Sequence, residues 1–256
     1  MINQFSRNLL SIGIEGQERL KNSTVAILGM GGVGSYCTES ICRSGVGTII
    51  IIDKDVVDIT NANRQLHAMV DTVGQSKVDL MEERIKRINP NCNVIKYELF
   101  FNNETYEQIL SHSIDFFIDA SDTISYKILC IEECLKRKIP FISVMGTANK
   151  MQPELFEIDD ISNTSYDPVS KVIRVALKRR KIRGKVPVVY SKERPISPNE
   201  DALELLSKKD SDIRKSVIPP ASNSVCPPVA GIIAASYGIR ILLKDIIFER
   251  RGEAQN

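Results

Sequence analysis

The glycine cluster Gly29-Met30-Gly31-Gly32-Val33-Gly34, set between two apolar runs, restricts the fold of this chain more than any other feature. Thr24–Leu28 (TVAIL) leads straight into it, and a short run apolar at nearly every position fits a strand buried on both faces of a parallel sheet. Four consecutive isoleucines, Ile49–Ile52, form a second such run and stop at Asp53. Residues 35–44 between them read as a helix that Gly45 and Gly47 break, so 24–53 makes one βαβ unit. In the pattern G-x-G-x-x-G the first glycine permits the turn and the second lets backbone amides approach a phosphate. The third lets helix and strand pack closely, with the helix N-terminus facing the anion. Asp53, 19 residues after Gly34, ends the next strand and is placed to accept from ribose hydroxyls. No G-x-x-x-x-G-K-[ST] string occurs, so the site is not a P-loop.

The alternation continues downstream. Val78, Met81, Ile85 and Ile88 recur at helical spacing until Asn89-Pro90. Strands are expected at Asn93–Tyr97, Ile114–Ile118 and Phe141–Val144, with helices at Tyr106–Leu110 and Ile128–Lys138. This rhythm predicts an α/β fold, a Rossmann-like, mostly parallel sheet with helices on both faces. After Gly146 the pattern loosens into a strand at Leu155–Ile158 and a helix opening on Asp167-Pro168, Asp as cap and Pro in the first turn. Val169, Val172, Ile173, Ala176 and Leu177 form its apolar stripe. A strand at Pro187–Tyr190, a loop or mobile segment at Ser191–Ser224 and a buried helix within Val225–Phe248 follow. The expected organisation is one unit over 1–256, with 1–150 as the nucleotide-binding half and 151–256 as a smaller, substrate-facing α+β extension.

A hydrophobic content of 43% with 26% charged residues excludes a disordered or fibrous chain. Val225–Phe248 is interrupted by two prolines, Arg240 and Lys244, which argues against a membrane span. Met1–Phe5 runs directly into an amphipathic stretch with Arg7 and Glu15, unlike a signal peptide. The six cysteines (37, 42, 92, 130, 134 and 226) contain no CxxC pair, and His67 and His112 alone cannot complete knuckles. No structural zinc is therefore expected, and Cys130 and Cys134, one helical turn apart, are expected to pack in the core. Cys226 and His67 are likewise read as packing residues, and the expected compartment is the reducing cytoplasm.

Three polar clusters bear on the ligand. Asn61-Ala62-Asn63-Arg64-Gln65 follows the ribose aspartate, Gly74-Gln75-Ser76-Lys77 opens the next helix, and Asp119-Ala120-Ser121-Asp122 ends the Ile114–Ile118 strand. Arg64 and Lys77 suit a triphosphate better than a neutral nicotinamide, and a carboxylate at the strand end would hold Mg²⁺. Singly, Arg64 and Lys77 also read as ordinary helix-end charges, and Asp122 as a helix cap. As a set they favour ATP.

Arg7, Gly16-Gln17-Glu18, GMGGVG, Ile51-Ile52-Asp53, NANRQ, GQSK and DASD together resemble the adenylation domain of the ubiquitin-activating-enzyme superfamily, which includes the bacterial ThiF- and MoeB-like enzymes. The resemblance covers residues 4–150. It implies a ThiF/MoeB-type adenylation fold in which Gly29, Gly31, Gly32 and Gly34 frame the phosphates of ATP and Asp53 binds ribose. Asn61, Arg64 and Lys77 would contact the phosphates and Asp122 would ligate Mg²⁺; Asp55, Asn63, Gln65, Asp119 and Ser121 complete the implied ATP set. Arg64, Lys77 and Asp122 would carry the chemistry, together with Arg7 supplied in trans across a homodimer.

ThiF- and MoeB-type members usually carry two CxxC zinc pairs, which this chain lacks. Thr60–His67, Asp167-Pro168, the basic stretch 171–185 and the C-terminal helix are similar to another branch, the tRNA threonylcarbamoyladenosine dehydratases. That similarity implies ATP-dependent activation of a side-chain carboxylate on a modified adenosine in tRNA, then ring closure. Three other readings stay open: a ThiF/MoeB-like enzyme adenylating a ubiquitin-like sulfur carrier, with sulfur-transfer proteins as partners; a nicotinamide-dependent oxidoreductase; and a non-catalytic nucleotide sensor that docks RNA.

The net charge of +2 names no partner, but its distribution is uneven: residues 165–215 hold 14 basic and 7 acidic side chains. Lys171, Arg174, Lys178, Arg179, Arg180, Lys181, Arg183 and Lys185 would bind an RNA backbone with strong salt dependence, at the tRNA anticodon loop by the resemblance. Tyr166 and Tyr190 would stack on unpaired bases. The same eight charges read equally well as the solvated face of an amphipathic helix.

Overall fold

In the computed structural model, residues 2–207 and 220–246 are described. Among these residues seven strands form one sheet: β1 (Thr24–Leu28), β2 (Thr48–Ile52), β3 (Asn93–Tyr97), β4 (Phe116–Asp119), β5 (Phe141–Val144), β6 (Phe156–Asp160) and β7 (Pro187–Ser191). Their spatial order is β3-β2-β1-β4-β5-β7-β6, parallel throughout except for β6 on the edge. Register follows the apolar runs: Val25 opposes Ile49 on one side and Phe116 on the other. The chain leaves β1 toward β2 and returns to β1's other side as β4, which opens a crevice at the carboxyl ends of β1 and β4.

Helices cover both faces. On one lie α2 (Gly34–Arg43), α3 (Lys77–Ile88) and the last described helix, α8 (Cys226–Leu242), around Val25, Ile27, Ile49, Ile51, Phe116 and Ile118. On the other lie α4 (Tyr106–Leu110), α5 (Ile124–Arg137) and α6 (Pro168–Arg179), around Ala26, Leu28, Ile50, Ile52 and Phe117. The period-two alternation of strand side chains sends these neighbours to opposite layers. The first helix, α1 (Ser6–Lys21), packs against α8 and is kinked at Gly13. Helix α8 is the expected buried one, and it sits tightly on α2 because Gly231 has no side chain: a Cβ there would lie 2.2 Å from the Val33 carbonyl oxygen.

Three local expectations shift. The strand expected from Leu155 begins at Phe156, because Pro153–Leu155 forms a 3-10 turn with proline in its first position. Helix α5 starts at Ile124, four residues before Ile128. Within the expected loop 191–224 lies α7 (Glu200–Ser207), capped where Ala202 N–H donates to Asn199 Oδ1 (2.9 Å), with Glu200 and Asp201 in its first turn. Residues 208–219 of that loop and Phe248 lie outside the described residues. Among the described residues no helix is long and apolar enough to cross a membrane.

His67 packs as expected, 3% exposed, and neither ring nitrogen has a partner among the described residues. Burial, aided by the Lys77 charge, pushes its pKa down to about 4, below the 6.5 of a free imidazole. Between those values the unfolded chain binds a proton that the folded chain refuses, so stability falls as pH drops through this window. Urea unfolding at pH 7 and pH 4.5 should show an acid loss smaller by about 2–3 kcal/mol in His67→Leu than in the parent. Equal losses in both proteins would show that His67 is protonated in the fold without penalty.

Candidate active site

The chain turns sharply at Gly29, whose φ of +91° is open to glycine and strained for other residues. Its N–H donates to the Ile52 carbonyl (2.7 Å), tying the loop to β2. A Cβ on Gly34 would sit 1.7 Å from the Gly29 carbonyl oxygen, so the helix can start this close only because that position lacks a side chain. Around Gly31, by contrast, a Cβ would meet nothing nearer than Gln65 Nε2 at 4.0 Å. The loop is thus closed beneath Gly34 and open above Gly31, where a phosphate would meet the N-terminus of α2.

Asp53 holds this geometry. Its Oδ2 accepts from Met30 N–H (2.6 Å) and its Oδ1 from Asp55 N–H (2.8 Å). Burial raises its pKa above the usual carboxylate value, and the Lys77 charge and the two backbone donors only partly offset that. Lone pairs not used by these N–H groups can accept from ribose hydroxyls.

Lys77 is the first residue of α3 and 5% exposed, a place where the helix dipole disfavours a cation. Its partner is Asp55, at 3.2 Å. Burial opposes ionisation of Asp55, but the Lys54 hydrogen bond and the Lys77 charge outweigh it and hold its pKa below the usual value. A cation buried against a helix N-terminus is poor design for stability and good design for meeting polyphosphate. Arg64 is held over the loop by hydrogen bonds from its guanidinium to the Thr60 carbonyl (2.9 Å) and Asn63 Oδ1 (2.8 Å).

A cavity of ≈ 440 Å³ joins these parts. Of the expected site residues, Gly29, Gly31, Gly32, Asp53, Asp55, Arg64, Gln65, Lys77, Ser121 and Asp122 line it. Gly34, Asn61, Asn63 and Asp119 do not. Gly34 lies under the loop, Asn61 closes a capping box with Asp58, and Asn63 donates to the Ser222 carbonyl (3.0 Å). Asp119 is fully buried and spent on Lys127 (3.1 Å), Ser143 (2.5 Å) and Ser121. Asp122 is no helix cap: α5 is preceded by Thr123, with no side-chain cap. Arg7 is exposed on α1, away from the cavity of its own chain.

The eight basic residues also lie off the cavity wall. Helix α6 turns its N-terminal Asp167, Pro168 and Val169 toward the cavity, and Lys178 sits near the other end, about 15 Å along the axis. Arg174 is committed to the Ile161 and Thr164 carbonyls (3.1 and 3.2 Å) and Arg180 to Glu132 (3.1 Å), while the other six are exposed. Tyr190 is buried with its hydroxyl on Glu157 (2.5 Å), so it cannot stack on a base. Tyr166 is exposed beneath the Arg194 guanidinium (4.7 Å).

The sequence reading missed a second lobe of the same cavity, beyond the end of β5. Gly146, Asn149 and Lys150 line it with Asp167 and Pro195. Lys127 also lines the cavity and donates to the Val144 carbonyl (2.6 Å) as well as to Asp119. A lone lysine just before the apolar Ile128-Leu129-Cys130 was one available signal, and Lys150 just past a strand's carboxyl end was another. Cys226 is buried and its thiol is pushed upward by burial, unlike a reactive nucleophile.

The ThiF family profile matches residues 5–251. The chain is 54% identical over 250 residues to the tRNA threonylcarbamoyladenosine dehydratase of Bacillus subtilis, an alignment covering 98% of each chain. It is 34% identical to the enzyme of the same name from Escherichia coli, over 73% of each chain. The crystal structure of E. coli tRNA N6-threonylcarbamoyladenosine dehydratase, TcdA, in complex with ATP superposes with a TM-score of 0.84 at 28% identity, covering 94% of each chain. The glycine loop, the switch-point crevice and these likenesses agree: the chain belongs to the ThiF family, on the branch of the tRNA threonylcarbamoyladenosine dehydratases.

Proposed function

We propose that this protein cyclises threonylcarbamoyladenosine in tRNA, using ATP to adenylate the side-chain carboxylate. The observation that carries the reading is one continuous cavity lined at one end by the glycine loop, Asp53 and Lys77, which suit ATP, and at the other by Gly146, Lys150 and Asp167, where an acyl substrate would lie beside the phosphates. The activity named for its relatives supports the same substrate.

A carboxylate is a poor electrophile, and joining it to the α-phosphate gives it a good leaving group. Two anions must meet in that step. Lys77 and Arg64, with the amides of the glycine loop, offset the triphosphate and the charge that develops on phosphorus. Ring closure follows inside one substrate molecule at high effective molarity, so no enzyme nucleophile is required. All six cysteines are free and buried, which agrees with this and with a reducing cytoplasm.

Among the described residues no three His, Cys, Asp or Glu side chains gather as a metal site. The residues nonetheless fit Mg²⁺ arriving with the nucleotide, since Mg²⁺ is usually held by one or two carboxylates plus phosphate oxygens. Asp122 lines the nucleotide lobe and, among the described residues, receives only a long contact from the Thr123 hydroxyl (3.3 Å), so it would hold the ion. When bound, Mg²⁺ supplies charge neutralisation at the phosphates.

The central test incubates the protein with ATP, Mg²⁺ and tRNA carrying the open, hydrolysed nucleoside, then weighs the digested nucleosides. An ATP-dependent loss of one water is expected, and Lys77→Ala should slow it by about a hundredfold or more while unfolding at nearly the parent midpoint. No mass change, with activity instead on a ubiquitin-like carrier protein, would overturn the substrate.

A homodimer with Arg7 acting in trans is supported by the exposure of Leu10, at i+3 from Arg7 on α1, and of Ile14 on the same helix. Arg7→Ala and Lys77→Ala, each inactive alone, should regain about a quarter of parental activity when unfolded and refolded together, because random pairing leaves half the dimers with one intact site. No recovery would place Arg7 in its own chain's chemistry or outside it.

The exposed basic residues at the far end of α6 would hold tRNA phosphates at a distance from the cavity. Reversing Lys178, Arg179 and Lys181 to Glu should flatten the slope of log affinity against log salt by roughly two units and spare ATP binding. An unchanged slope would return the segment to a solvated face.

A further inference from the structure

The second lobe contains a carboxylate that the fold does not explain. Asp167 is 4% exposed. Its Oδ1 caps α6 by accepting from Ser170 N–H (2.7 Å), while its Oδ2 is buried with no hydrogen-bond partner among the described residues. Serine or threonine would cap as well without burying a bare anionic oxygen, which is costly. Gly146 opens the approach: a Cβ there would stand 3.1 Å from Oδ2. Both residues line the cavity, and Oδ2 is buried beside Gly146, where the missing side chain leaves room for a donor on the substrate to approach it.

Lys150 completes the picture. It is 2% exposed, and its ammonium has one partner among the described residues, the Glu193 carbonyl (2.9 Å). The Glu193 carboxylate is already taken by the Met151 and Gln152 N–H groups (2.9 Å each). Burial lowers the Lys150 pKa, and the Asp167 and Glu193 charges act in the opposite sense. The second lobe therefore holds a cation and an anion that are not locked to one another, which suits a substrate with both an acyl oxygen and an acidic N–H.

We propose that Asp167 is the base of the ring-closing step, accepting at Oδ2 the proton of the urea nitrogen that attacks the acyl-adenylate. The bond between that nitrogen and the acyl carbon forms. The bond from the acyl carbon to the α-phosphate oxygen breaks, and AMP departs with its electron pair. The proton passes to Asp167 and then to solvent, so the step needs no further reactant. This assignment rests on the tRNA reaction proposed above and divides it in two: the nucleotide lobe makes the adenylate, and Asp167 acts only afterwards.

The test separates the halves with the full-length protein, ATP, Mg²⁺ and tRNA bearing the open nucleoside. Adenylation is read as tRNA-dependent exchange of labelled pyrophosphate into ATP, the acyl-adenylate as the hydroxamate captured by hydroxylamine, and closure as the cyclic nucleoside by mass. Asp167→Asn keeps a capping side chain, and Asp167→Ser is a second variant that caps without a carboxamide. Both should retain exchange within about threefold, form cyclic product about a hundredfold more slowly, and yield more hydroxamate than the parent. Cyclisation at the parental rate, or exchange and closure falling together, would overturn the role of Asp167. Absence of tRNA-dependent exchange in the parent protein itself would be a different result, overturning the substrate reading and this assignment with it.

Discussion

Asp53 is the joint on which the site depends. Two backbone donors, Met30 from the glycine loop and Asp55 from the segment after β2, converge on one carboxylate at the end of β2. The turn after β1 is thereby fixed relative to the neighbouring strand, and with it the direction in which the loop amides face. Gly29 makes the turn possible, its N–H ties the turn to the Ile52 carbonyl, and Gly34 lets the helix close in behind it; the carboxylate adds the anchor for Met30, the next residue of the loop. The group that shapes the loop is also the one free to receive ribose. Under the proposed function, nucleotide binding and local rigidity would rest on the same atoms.

Charges buried around the cavity follow a consistent logic. Lys77 pairs with Asp55 at a helix N-terminus, Lys127 pairs with Asp119 under the strand ends, and Lys150 lies beyond β5 near Asp167. Each removes a cation from water, but of the two ion pairs only Lys127–Asp119 is buried on both sides, and there losing one member typically costs about 3–5 kcal/mol; the half-exposed Asp55 would be rehydrated if Lys77 were lost. A chain selected for stability alone would fill these places with apolar side chains. Their position along the carboxyl edge, where the parallel strands all point, places that cost where charge must be neutralised during adenylation. The Lys127–Asp119 pair differs from the others: its carboxylate already accepts from Lys127, Ser143 and Ser121, so it stiffens the ends of β4 and β5 and leaves chemistry to its neighbours.

The C-terminal part is less an appendage than the completion of the sheet. Strands β7 and β6 extend it past β5, and α8 returns across the opposite face to seat Gly231 against the start of α2. Pro227, at the beginning of that helix, reaches the cavity wall. Residues nearly two hundred positions from the glycine loop thus define the shape of the nucleotide lobe.

Order and type of the main elements were legible in the sequence because buried parallel strands must be apolar at nearly every position. Gly29, Gly31, Gly32, Asp53, Arg64, Lys77 and Asp122 could be picked out together because a glycine loop after one strand and polar residues after the next strands fall at the carboxyl edge of a parallel sheet, and the fold gathers all seven around one cavity. Asn61, Asn63 and Asp119 belong to the same motifs, yet the fold uses their side chains internally, and no local pattern distinguishes a polar group turned inward from one turned toward a ligand. Tyr190, Lys150 and the free oxygen of Asp167 were beyond reach for a related reason. Burial and partnership are set by which segments meet across the sheet, and the meeting of β5's end, the start of α6 and the residues before α8 is written in no single stretch of chain.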